Sequence, residues 1–180
     1  MKISKTAIEG LLILEPNVWE DSRGYFFESW TKSIFENQGI DLDFVQDNQS
    51  FSHKDVLRGL HFQKPPFDQG KLVRVIQGSV LDIAVDIRKE SNTYGKHYSI
   101  ELNSFNKTIF WIPPGFAHGF ISLEDNTIFS YKCTAVYDKS SESSLLWNDK
   151  DLAIDWKCEN PIVSEKDKQA ASLSSLNSPF

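Results

Sequence analysis

A chain of 180 residues, with 40% hydrophobic and 24% charged residues and a net charge of −6, is long enough for one fully cored domain of ordinary composition. The acidic balance excludes the broad basic surface that nucleic-acid binding needs, and it confines any anion site to a local cluster of cations. No stretch has transmembrane length, and Met1–Pro16 lacks a signal peptide's apolar core and cleavage site, so a cytoplasmic protein is expected, with Cys133 and Cys158 as free thiols.

In chain order, the first helix with readable ends runs from about Thr31 to Gln38, with Thr31 as cap, Ile34 and Phe35 facing inward and Gly39 as stop. From Phe44 to Cys133 the pattern is mostly that of strands. Leu72–Ile76, a Gln77-Gly78-Ser79 turn and Val80–Ile87 predict a hairpin. In its second strand Leu81, Ile83, Val85 and Ile87 share one face, and Asp82, Ala84 and Asp86 the other. Further strands are expected at Tyr98–Leu102, Thr108–Ile112, Gly119–Leu123 and Ile128–Thr134. Ser164-Glu165-Lys166-Asp167 has the form of a helix start, and the Ser-rich end from about 171 to 180 is expected to be a flexible tail. The aromatic content of 13%, with thirteen Phe, suits strands and a filled interior. The chain is therefore expected to be all-β, one antiparallel jelly-roll barrel spanning 1–180 with short helices near its N- and C-terminal ends.

Four histidines occur, and two lie among apolar residues: His61 in Leu57-Arg58-Gly59-Leu60-His61-Phe62-Gln63, and His118 in Pro113-Pro114-Gly115-Phe116-Ala117-His118-Gly119-Phe120. A single histidine on an apolar strand is as a rule structural; His53 and His97 sit among polar residues and keep that reading. Pro-x-Gly-x-x-His resembles the second motif of cupin barrels. The first cupin motif would supply a His-x-His pair, but here it reads His61-Phe62-Gln63, so a metal set is not assembled and no metal is expected.

Read outward, Asp21–Glu28, Phe44–Asn48, Leu57–Gln63, Gln69–Val75, Trp111–Phe120, Tyr131–Thr134 and Ser164–Asp167 occur in order. Over roughly residues 8–170 they resemble the dTDP-4-dehydrorhamnose 3,5-epimerase family, cupin-fold sugar-nucleotide epimerases of dTDP-L-rhamnose biosynthesis. The resemblance implies an isomerase that inverts C3 and C5 of dTDP-4-dehydro-6-deoxy-D-glucose by proton transfer through an enolate, with no cofactor. It implies His61 as base, since a neutral imidazole suits that task near its reference pKa of about 6.5. Asp167 would orient His61; without the resemblance it reads as a capping-box partner of Ser164. Tyr131 would be the acid, helped by a nearby lysine; without the resemblance it is an inward aromatic beside Phe129 and Cys133. Lys71 would meet the enolate oxygen, and Asp82 could hold Lys71 by an ion pair.

For substrate binding the resemblance implies cations at Arg23, Arg58 and Lys166 for the diphosphate, His118 for sugar or diphosphate, Glu28, Gln46, Asp47, Asn48 and Glu142 for nucleotide or neighbouring contacts, and Tyr137 stacked on thymine. Strict strand alternation puts Arg58 and His61 on opposite faces unless Gly59 hosts a bulge. The family also implies a homodimer with an exchanged N-terminal strand, so that Arg23 and Glu28 serve the other subunit. Neither a nucleic acid nor a membrane is an expected partner. The alternatives are a single-site epimerase, a 3,4-ketoisomerase of a related sugar nucleotide, and a non-catalytic cupin.

Overall fold

The structure, a computed structural model, describes every residue of the chain except Gln38 and Asp41. Its strands are β1 (Lys2–Lys5), β2 (Leu12–Glu15), β3 (Trp19–Asp21), β4 (Gly24–Phe26), β5 (Gln46–Ser52), β6 (Val56–Gln63), β7 (Lys71–Gln77), β8 (Ser79–Asp86), β9 (His97–Asn103), β10 (Ile109–Ile112), β11 (Phe116–Ser122), β12 (Thr127–Cys133), β13 (Glu142–Ser144) and β14 (Ile162–Val163). Two short helices, α1 (Lys32–Glu36) and α2 (Glu165–Lys168), flank them near the ends. One sheet runs β1-β2-β10-β7-β12-β5, and the other β13-β6-β11-β8-β9 with β14 beside β6. Among the described residues every pairing between these strands is antiparallel except β14 with β6. The expected antiparallel jelly roll is what forms. Among the described residues no helix is long and apolar enough to cross a membrane.

The two sheets face each other because each strand alternates. Val73, Val75, Phe110 and Phe129 of the first sheet meet Val80, Ala84, Phe116 and Phe120 of the second in a shared core. The outer face of the second sheet buries Leu57, Ile83, Val85 and Ile121 beneath Leu145, Leu152 and Trp156. The outer face of the first buries Leu72, Ile109 and Trp111 beneath Phe35 of α1. The two faces read from Leu81–Ile87 are therefore real, and Asp82 and Ala84 point between the sheets.

Three expectations change. The segments 72–76 and 80–87 do not form a hairpin: β7 pairs with β10 and β12, while β8 pairs with β11 and β9. Gly78, at φ +80 with Thr127 packed against it, turns the chain from one sheet to the other. The helix at Thr31 is shorter than expected, and Thr31 makes no side-chain cap bond; Gln38 lies outside the described residues. The C-terminal segment expected to be flexible is docked instead. Ser178 is buried and donates to the Ile87 carbonyl, Lys89 N–H donates to the Phe180 carbonyl, and the Phe180 ring packs on Phe62. The β3–β4 hairpin is an addition to the elements read from the sequence, and it leaves Trp19, Tyr25 and Phe26 exposed.

Candidate active site

A cavity opens between the sheets in two adjoining lobes of about 460 and 360 Å³, which share His61, Lys71 and Tyr131. That size suits a small organic ligand. The first lobe adds Ser50, Arg58, His118, Phe120, Phe129, Lys166 and Asp167, and the second adds Gln46, Asn48, Gln69, Tyr137 and Glu142.

His61 and Arg58 reach the same cavity through an irregularity in β6. His118 pairs with His61 and Phe120 with Arg58, so three steps on β6 match two on β11. Gly59 lies in that bulge at φ +148, where a Cβ would fall 2.5 Å from the Cα of Gly119. Only two glycines let these backbones approach so closely. The glycine bulge required to bring Arg58 and His61 together is present.

His61 Nε2 lies 2.7 Å from Asp167 Oδ1. Burial works to raise the Asp167 carboxyl, but hydrogen bonds from His61, Ser164 and the Gly59 amide outweigh it and hold it below the usual carboxylate range. An ionised Asp167 accepts a hydrogen bond from Nε2–H, which leaves Nδ1 as the basic nitrogen. Asp167 makes both contacts. Its backbone N–H donates to the Ser164 hydroxyl as in a helix cap, while its side chain serves His61.

Tyr131, on β12, has its phenol pushed up by burial, with Arg58 opposing. The expected help from a lysine is therefore not what dominates: desolvation wins, and the phenol is held protonated. Lys71 opens β7, and burial lowers its ammonium, with Cys133, Asp82 and Glu142 pulling the other way. Asp82 does not form the expected ion pair with Lys71. Both its oxygens lie 2.9 Å from His118 Nε2, and no Lys71–Asp82 salt bridge occurs among the described residues.

In the second lobe, Glu142 lies 2.5 Å from Lys166 Nζ and accepts from the Tyr137 hydroxyl at 3.1 Å. Lys166 thus lines the cavity as expected but carries a carboxylate partner. Gln46 accepts from the Tyr137 amide and donates to Asn48. Gln63 donates to the carbonyls of Phe67 and Val136 and accepts from Asp138 N–H, so its amide is spent on tying loops together. That commitment of Gln63 is consistent with the loss of the second ligand position.

Three expected binding residues stand elsewhere. Asp47 is on the outward face of β5, 2.6 Å from Lys132 Nζ, because strand alternation separates it from Gln46 and Asn48. Arg23 is exposed and bound to Asp21 2.5 Å away, and Glu28 lies beside Met1, Asn17 and Trp19. Sequence reasoning missed Ser50, Gln69, Phe120 and Phe129 as cavity walls. For Ser50 and Phe129 the signal was available: each sits two residues from a pocket residue, Asn48 and Tyr131, on the same strand face.

The chain matches the family model described as dTDP-4-dehydrorhamnose 3,5-epimerase over residues 5–175. It is 51% identical to the dTDP-4-dehydrorhamnose 3,5-epimerase of Salmonella typhimurium, covering 96% of each chain. The crystal structure of that enzyme from Elizabethkingia anophelis superposes with a TM-score of 0.94 at 48% identity, covering 99% of both chains. An epimerase from Legionella pneumophila in complex with dTDP-4-keto-L-rhamnose gives a TM-score of 0.94 at 47% identity, covering 98% of this chain and 94% of that one.

Proposed function

The chain belongs to the dTDP-4-dehydrorhamnose 3,5-epimerase family, and from this we propose that its two-lobed cavity inverts C3 and C5 of dTDP-4-dehydro-6-deoxy-D-glucose. The observation that carries the reading is the His61–Asp167 pair facing the same space as Tyr131 and Lys71. A ketone at C4 acidifies the C–H bonds at C3 and C5. His61 Nδ1 takes one of these protons, the electron pair moves into an enolate, and the Lys71 ammonium stabilises the oxygen. Tyr131 then gives its phenolic proton to the opposite face of the carbon, and the ketone re-forms. The steps leave an imidazolium and a phenolate, which exchange with solvent before the second centre reacts.

Arg58 and Lys166 are assigned to the diphosphate. Arg58 is already held by the Ser52 hydroxyl and the Phe51 carbonyl, whereas Lys166 would exchange Glu142 for phosphate oxygens. Gln46, Asn48, Tyr137 and Glu142 are assigned to the nucleotide end. We assign Arg23 and Glu28 to a partner subunit's cavity, in a homodimer built by the β3–β4 hairpin; the exposed Trp19, Tyr25 and Phe26 support this. Free thiols at Cys133 and Cys158 fit a cytoplasmic enzyme.

Incubation with dTDP-4-dehydro-6-deoxy-D-glucose in deuterated water, read by NMR, tests the reading. Deuterium at both C3 and C5 with inverted stereochemistry is expected. Label at one carbon alone would replace the double epimerase by a single-site enzyme, and a migrated carbonyl would indicate the ketoisomerase.

A further inference from the structure

Among the described residues one hydroxyl of the cavity wall is left without a hydrogen-bond partner. The inward face of β5 carries Gln46, Asn48, Ser50 and Ser52, and all but Ser50 are bonded within the protein. Gln46 donates to Asn48 and accepts from the Tyr137 amide, Asn48 donates to the Cys133 thiol at 3.6 Å, and Ser52 accepts from Arg58. Ser50 lines the first lobe, and its Oγ is shielded from solvent. A hydroxyl in that position lowers stability, because its hydration is lost and nothing in the protein replaces it.

Its neighbours account for the unpaired hydroxyl and indicate what could satisfy it. Ser50 is the register partner of Phe129 on β12, and the Phe129 ring stacks on Phe120 with centroids 4.2 Å apart. Both rings are buried walls of the same lobe and offer no acceptor. Towards the catalytic end, Asn48 pairs with Tyr131, so Ser50 and Tyr131 are diagonal neighbours on one sheet face. Towards the other end lies the anchor of Arg58, whose Nε and Nη2 donate to the Ser52 hydroxyl and the Phe51 carbonyl, each at 3.2 Å. Those bonds tie the guanidinium to the strand that carries Ser50, in the same lobe. A group meeting Ser50 therefore stands between the acid assigned to the sugar and the cation assigned to the diphosphate. An anionic oxygen fits that place best, since hydrogen bonds to a charged acceptor are the strong ones and an apolar floor strengthens them.

We infer that Ser50 is a substrate-binding residue whose hydroxyl donates to the sugar-bearing phosphate of the nucleoside diphosphate, beside Arg58. The inference rests on the proposed epimerase reading for the identity of that ligand and adds a contact to it. A turn about the Cα–Cβ bond between staggered rotamers brings the hydroxyl onto the ligand. The free protein is destabilised by the unpaired hydroxyl, and the bound phosphate relieves it. Stability and binding are thereby set against each other at one side chain.

Titration calorimetry of the wild type and Ser50→Ala with dTDP and dTMP, beside steady-state kinetics, provides the test. Ser50→Ala is expected to bind dTDP about tenfold more weakly, the scale of one hydrogen bond to a charged group. dTMP lacks the phosphate that would carry the sugar and should bind both proteins alike. KM should rise about tenfold while kcat stays within about threefold, because the phosphate does not change in the reaction. The melting temperature of ligand-free Ser50→Ala should be at or above the wild type's, since no bond within the protein is lost. Unchanged dTDP affinity overturns the inference. So does an equal loss for dTMP, which places the contact nearer the nucleoside, or a fall in kcat with dTDP affinity kept, which places it on the sugar. A lower melting temperature together with weaker dTDP binding assigns the hydroxyl to the fold and overturns it as well. The dTDP measurement needs no turnover. A wild type that binds dTDP without exchanging substrate protons for deuterium therefore overturns the epimerase reading alone, whereas exchange with unchanged dTDP affinity in Ser50→Ala overturns only this inference.

Discussion

At the residue scale, the site is a set of ordinary side chains whose roles come from their neighbours. In the proposed mechanism His61 is a defined base because the ionised Asp167 carboxylate accepts a hydrogen bond from its Nε2–H and leaves Nδ1 as the basic nitrogen. His61→Ala is expected to reduce turnover by about 10²–10⁴-fold, the usual worth of a general base, while its melting temperature stays near the wild type's. Near-normal turnover would remove His61 from the mechanism. Tyr131→Phe separates the two proton transfers. It should still exchange substrate C–H for deuterium through His61 but return the label to the same face, so that exchange greatly exceeds inversion. Equal loss of exchange and inversion would mean that Tyr131 is not the acid. The residues themselves were legible in the sequence only through resemblance. His61 and Asp167 lie 106 positions apart, and no local pattern links a strand histidine to the third residue of a four-residue helix.

At the element scale, β6 shows how backbone geometry decides which side chains meet. Strict alternation separates Arg58 from His61, and the bulge at Gly59 reunites them. Gly59→Ala would place a methyl group 2.5 Å from the Gly119 Cα, against backbone that cannot swing away. A loss of about 2–3 kcal/mol is expected from the overpacking, together with a fall in kcat as His61 moves. Denaturant unfolding would check the first and steady-state kinetics the second; a fully stable, fully active variant would show that the close approach is dispensable. The β7–β8 segment teaches the opposite lesson. Its strand boundaries and faces were readable, yet its partner was not, because an apolar strand–Gly–strand pattern describes a hairpin and a sheet crossover equally well. Asp47 was misplaced for a simpler reason. It belongs to a motif whose neighbours Gln46 and Asn48 face the cavity, and the period of two sends it outward to Lys132.

At the scale of the whole molecule, Asp86 braces several segments at once. Its buried carboxylate accepts from Arg88, Ser91 and Thr93, while Arg88 also donates to the Glu9 carbonyl and covers the Phe116 ring. Burial works to raise its pKa, but those hydrogen bonds prevail and bring it to about 2. A depressed folded pKa means stability that is present above the unfolded carboxyl's value near 3.9 and is lost as pH falls through about 2. Asp86→Asn should therefore cost about 2 kcal/mol at pH 7, and the gap from the wild type should narrow as pH drops from 4 towards 2. A gap constant with pH would show that the carboxylate's charge is not what stabilises this corner. Subunit exchange is the other whole-molecule expectation. Mixed dimers of His61→Ala and Arg23→Ala chains should recover kcat/KM above either parent, since one cavity then combines an intact His61 with the partner's intact Arg23. No recovery, or a sedimentation mass equal to the single chain's 20.6 kDa, would reject the exchanged hairpin. The sequence by itself determined the jelly-roll class and most strand positions, because alternation is a local property. Only the tertiary structure decided which strands pair, that Asp82 belongs to His118 instead of Lys71, and that the C-terminal segment packs down, because those outcomes depend on burial and on contacts between residues far apart in the chain.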